Sequence, residues 1–162
     1  MESMTILEKK VDAIARSILA NDTTDRNAAI AELKVLMEKP KQSAEGAEAI
    51  TRNLLIEMGV PEHILGSKYL RKAICAVLED EDLIIAVTGD LYPLVAKVYG
   101  TTPSRVERAI RHAIEVCWDR GDMDVLTGYF GNTVSPSKGK PTNSEFLARC
   151  ASIVREKMAG GY

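Results

Sequence analysis

Glycine and proline fall between the periodic segments of this chain rather than inside them, and nearly every segment repeats its apolar residues at steps of three and four. That spacing places side chains on one face of a helix and gives no alternating strand pattern, so the expected fold class is all-α. Helices are expected at about 47–58, 66–79, 82–88, 91–99, 103–120, 122–130 and 143–158.

Upstream, Met4, Leu7, Val11, Ile14 and Ile18 form a narrow seam of coiled-coil spacing over two heptads, as suited to packing on the next helix as to a second chain. After the turn "NDTTD", Ile30, Leu33 and Met37 share one side of a second helix, expected to stop near Lys39-Pro40. Residues 1–39 thus read as an N-terminal α-hairpin. The polar stretch "KPKQSAEG", Lys39 to Gly46, is the best internal boundary and divides a helical extension, 1–46, from a domain at 47–162. "GNTVSPSKGKPTNSEF", Gly131 to Phe146, is the one substantial loop.

The most informative stretch is "GTTPSRVERAIRHAIEVCWDRG", Gly100 to Gly121. Asp90 is placed to cap a helix beginning at Leu91, and Gly100 suits the left-handed backbone that closes one. A second helix begins three residues later. With small Ala96 before the turn and apolar Val106 after it, the pair has the spacing of a helix-turn-helix.

On the second helix Ser104, Arg105, Glu107, Arg108, Arg111, His112, Glu115 and Asp119 fall in one arc of roughly 160°. Val106, Ala109, Ile110, Ala113, Ile114, Val116 and Cys117 fill the opposite arc, and only Trp118 strays. Arginines in the first turns oppose the helix dipole, an arrangement that suits a helix end entering the major groove. There guanidinium forks meet guanine and a carboxylate accepts from cytosine. The same residues also fit a solvated face in which Glu107 and Arg111 pair at i,i+4. Two caps compete: Ser104 would tie Glu107 back in a capping box, whereas Thr102 puts Pro103 at the first helical position and frees Glu107. The proline favours Thr102.

Other chemistry finds little support. No catalytic nucleophile, metal ligand set or cofactor motif emerges: His63 and His112 are isolated, and Gly139-Lys140 lacks the glycine spacing of a phosphate loop. Cys75, Cys117 and Cys150 sit in apolar helical runs and suit buried thiols in a reducing compartment. A net charge of -2 does not advertise nucleic acid, so DNA binding must rest on a local patch. The N-terminal apolar positions are broken by charges, so neither a signal peptide nor a membrane span is expected, and the location expected is the cytoplasm.

At these residues the chain resembles the C-terminal effector domain of the sporulation initiation master regulators, the stage zero response regulators of spore-forming bacteria. The resemblance is carried by "SRVERAIRHAIEV", by "LYP" and "AKVYGTT" before it, by "GVPEHILGSKYLRKAI" upstream and by "FGNTVSPSKGKPTNSEF" near the end, and it covers about residues 47–162. It implies an all-helical domain whose helix "SRVERAIRH" enters the major groove of a short operator element in double-stranded DNA. Carried onto this chain, Arg105, Glu107 and Arg108 would read bases, while Ser104, Arg111, His112, Lys138 and Lys140 would hold phosphates.

The family's regulator also carries a phosphoacceptor receiver domain. The 46 residues ahead of the effector region leave no room for one, so control by an aspartyl phosphate within this chain is not expected. The hairpin is instead expected to pair two copies or hold a related regulator. Two functions follow: a transcription regulator that binds operators itself and is nucleoid-associated when bound, or an interaction module that sequesters a related regulator with little DNA binding.

Overall fold

A computed structural model describes residues 13–16, 19, 23–131 and 139–160 of the 162-residue chain. Regular structure among the described residues is entirely helical. The α-helices are α1 (Thr23–Glu57), α2 (Leu65–Glu79), α3 (Tyr92–Tyr99), α4 (Pro103–Arg120), α5 (Met123–Phe130) and α6 (Asn143–Met158), with a 3-10 turn at Glu81–Ile84 and a π turn at Val87–Leu91 between α2 and α3. The chain divides into two compact units, residues 1–45 and 46–162.

In the first unit residues 13–16 are helical and Ile14 is buried, as its place in the apolar seam demands. Met4, Leu7, Val11 and Ile18 lie outside the described residues, as do the side chains of Leu33 and Met37, while Ile30 is exposed. The expected helix stop at Lys39-Pro40 is absent, because α1 runs through it. One proline removes one backbone hydrogen bond, and the alanine, glutamate, lysine and glutamine around it favour continuation.

The second unit holds the main core. Leu54 and Leu55 at the end of α1, with Met58 just after it, join Leu70 and Ile74 of α2, Ile110 and Ile114 of α4, Leu126 of α5, and Phe146, Leu147 and Ile153 of α6, all at most 1% exposed. Each such side chain contributes about 1.5–3 kcal/mol on leaving water. On α2 Ala73 and Val77 are buried beside Leu70 and Ile74, and Cys75 is half-buried at the edge of that face. Trp118, the residue that strays from its arc, packs edge-on against Phe130 at 5.0 Å and Phe146 at 6.2 Å between ring centroids. The apparent irregularity is the contact that ties α4 to α5 and α6.

Two local expectations are corrected. The helix expected at 82–88 is instead a 3-10 turn, capped where Asp80 Oδ1 accepts from Asp82 N–H, followed by the π turn. Asp90 is not a cap. The π turn feeds straight into α3, the Tyr92 N–H already bonds the Val87 carbonyl, and this N–H therefore needs no side-chain cap.

Candidate nucleic-acid interface

α3 and α4 meet across the glycine turn the sequence marks. Gly100 has φ 61° and ψ 41°, and the N–H groups of Gly100 and Thr101 both close onto the Ala96 carbonyl. A residue with a Cβ would be strained there. Thr102 then starts α4, its hydroxyl oxygen accepting from Arg105 N–H at 3.4 Å with Pro103 at the first helical position. The Thr102 cap leaves the Glu107 carboxylate out of the helix start. Val106, Ile110, Ala113, Ile114 and Cys117 are fully buried, so one face of α4 is fixed in the core.

The opposite face divides into free and engaged groups. Ser104, Arg105, Glu107, Arg108 and His112 are exposed, and their side chains form no hydrogen bond or ion pair among the described residues. Arg111 is engaged: its Nε faces Glu115 Oε1 at 3.2 Å and its Nη1 donates to the Pro141 carbonyl at 2.7 Å. Lys140 Nζ pairs with Asp119 Oδ1 at 2.6 Å. Lys138 lies outside the described residues.

α6 begins beside this helix through a feature whose reach sequence alone did not give. Thr142 and Glu145 form a capping box, with Thr142 N–H donating to Glu145 Oε2 at 2.8 Å and Glu145 N–H to Thr142 Oγ1 at 3.2 Å. "TNSE" carries that signature, and so marks a helix start. It does not say that the next residue, Asn143, donates from Nδ2 both to Tyr92 Oη at 3.0 Å and to the Glu107 carbonyl at 3.2 Å. Asn143 thereby joins the first turns of α3, α4 and α6. Its Oδ1 is buried and unpartnered among the described residues.

Between these helix starts lies a cleft of about 540 Å³, lined among others by Tyr92, Ser104, Glu107, Arg108, Arg111 and Asn143. Burial, with a smaller push from Glu107, raises the Tyr92 phenol above its ordinary range, and the Asn143 bond opposes that shift. The phenol is a hydrogen-bond donor at neutral pH. Hydroxyls, guanidinium groups and one carboxylate thus share a concave edge on the exposed face of α4, the donor and acceptor types that contact phosphates and base edges.

No group of histidine, cysteine, aspartate and glutamate among the described residues is arranged to hold a metal ion. No helix there is long and apolar enough to cross a membrane.

Residues 51–154, more than half of the chain, match the family model described as the C-terminal domain of sporulation initiation factor Spo0A. That family consists of all-helical, DNA-binding regulatory domains rather than enzymes. The chain belongs to the family of Spo0A C-terminal domains.

Proposed function

We propose that this protein is a sequence-specific transcription regulator that inserts the first turns of α4 into the major groove of an operator element. The observation that carries this reading is the state of Arg105, Glu107 and Arg108: all three are exposed and make no side-chain bond among the described residues, on a helix whose other face is fixed in the core. Arg105 and Arg108 pair with guanine edges and Glu107 accepts from cytosine, each good contact contributing about 1–3 kcal/mol of discrimination. Ser104 and His112 hold phosphates from the same helix, and Lys138 and Lys140 from the loop before α6. Arg111 faces phosphate with the part of its guanidinium not bonded to Pro141 and Glu115.

Binding of this kind needs no aspartyl phosphate from the chain itself. Residues 1–39 pair two copies or engage a related regulator, and the regulator works on the nucleoid in the cytoplasm.

The test is a mobility-shift titration of the purified chain against a duplex that it selects from a randomised library and against a scrambled version. A shift that depends on sequence at moderate salt, with or without a phosphoryl donor, is expected. A second reading rests on the net charge of -2: the chain sequesters a related regulator and scarcely touches DNA. No sequence-dependent shift, together with co-elution with such a regulator, would replace the first reading with the second.

A further inference from the structure

Tyr92 is 3% exposed, yet it lines the cleft beside α4, and its hydroxyl meets Asn143 of the same lining. The direction of its proton follows from its neighbour. A carbonyl oxygen only accepts, so the group that Asn143 turns to the Glu107 carbonyl is its NH2. The same NH2 faces Tyr92 Oη, which is therefore an acceptor in that bond. The phenol's own proton is left for another partner, and among the described residues Tyr92 donates to none.

The cleft also presents the hydroxyls of Ser104 and Ser144 and the guanidinium of Arg108. Glu107 is the one acid on its lining among the described residues, and Arg108 offsets it. The phenol, the two serine hydroxyls and the guanidinium converge there, and a phosphodiester, all acceptor and no donor, can take bonds from several of them at once.

We infer that Tyr92 is a phosphate-contacting residue of the DNA interface: its Oη donates to a non-bridging phosphate oxygen of the strand passing the first turns of α4, and Asn143 is the positioning residue that turns the proton outward. This rests on the DNA-reading function proposed above.

Tyr92→Phe removes the hydroxyl and leaves the buried ring. Fluorescence anisotropy on the duplex selected by the wild-type chain, and on its scrambled version, is expected to show roughly three- to tenfold weaker binding to both. The ratio between them stays unchanged, as does the salt slope, because a phenol releases no counterion. Asn143→Asp places an acceptor where the amide donated and captures the phenol proton, so adding Tyr92→Phe to it brings no further loss. Among duplexes carrying single methylphosphonates, one is expected to weaken the wild type and not Tyr92→Phe.

Inorganic phosphate titrated into the free chain is expected to leave the Asn143 side-chain amide resonances in place. A saturating shift that persists with DNA bound would assign the cleft to free phosphate and overturn the inference. So would wild-type affinity in Tyr92→Phe, or a loss confined to the selected duplex, which would mean that the hydroxyl only orients α4. A wild-type chain that selects no duplex overturns the DNA-reading function and this inference together, whereas a binding wild type with an indifferent Tyr92→Phe overturns this inference alone.

Discussion

Arg111 Nη1 on α4 donates to the Pro141 carbonyl oxygen at 2.7 Å, thirty positions along the chain, so α4 and the segment that enters α6 are clipped together by a charged donor. A planar guanidinium satisfies Pro141 and Glu115 at once, whereas a lysine ammonium is a point charge without that fork. Arg111→Lys therefore separates two roles. If the clip dominates, Arg111→Lys loses operator affinity nearly as fully as Arg111→Ala, and amide exchange at residues 139–142 speeds up in both. Recovery of affinity in the lysine variant would mean that charge alone matters.

Arg108 and Lys140 should fail in different ways. Arg108→Ala is expected to reduce discrimination between the selected and scrambled duplexes by about 1–3 kcal/mol. Lys140→Ala is expected to weaken both evenly and lower the salt slope by at most about one. Lys140 already faces Asp119 at 2.6 Å, so Asp119→Asn should tighten binding to both duplexes. Salt-dependent anisotropy on the three variants checks the set, and equal losses on both duplexes for Arg108→Ala would refute its role as a base reader.

Gly66 is the crossing point of α2 and α4. A Cβ there would overlap the Ala109 carbonyl oxygen and lie 2.7 Å from Ala113 Cβ, against backbone that cannot move aside. Gly66→Ala should cost about 2–4 kcal/mol and lower the thermal midpoint by roughly 10 °C. Because the clash pushes on the buried side of α4, operator affinity at low temperature should fall as well. Calorimetry with a parallel binding titration measures both effects.

Cys117 donates its S–H to the Met58 carbonyl at 3.0 Å in a fully buried site, and burial pushes its thiol up to about 12. The unfolded thiol ionises near 8.5, so below about pH 8 both states are protonated and its contribution to stability is complete. Above that pH the unfolded state loses the proton first, and stability is lost at up to about 1.4 kcal/mol per pH unit until the folded thiol also ionises. The stability gap between wild type and Cys117→Ala should therefore narrow between about pH 9 and 11 in denaturant titrations. A constant gap would show that the thiol does not ionise on unfolding.

The bounds of α4 and α6 could be read from sequence because strong local signals agree at their ends: Thr102-Pro103 before α4, Gly121 after it, and the Thr142 and Glu145 pair at α6. Where a local signal stood alone it misled. Pro40 does not stop α1, since one lost hydrogen bond is small against 35 residues of helix. Asp90 does not cap α3, since a π turn takes its place. The exposed polar face of α4 was legible as a wheel pattern. Its link to Tyr92 and Asn143 was not, because those residues lie 51 positions apart and meet only once the helices are packed. The engagement of Arg111 by Pro141 is likewise a product of the tertiary fold, and a charge pattern alone does not distinguish an engaged arginine from a free one.

Arg105, Glu107 and Arg108 lean on nothing within the described chain, while Val106, Ile110 and Ala113 on the same helix are wholly enclosed. Selection can therefore redraft the three without renegotiating the fold, since neither core volume nor any internal bond changes when they do. On the function proposed above, a library randomised at these three positions should yield folded chains with new operator preferences.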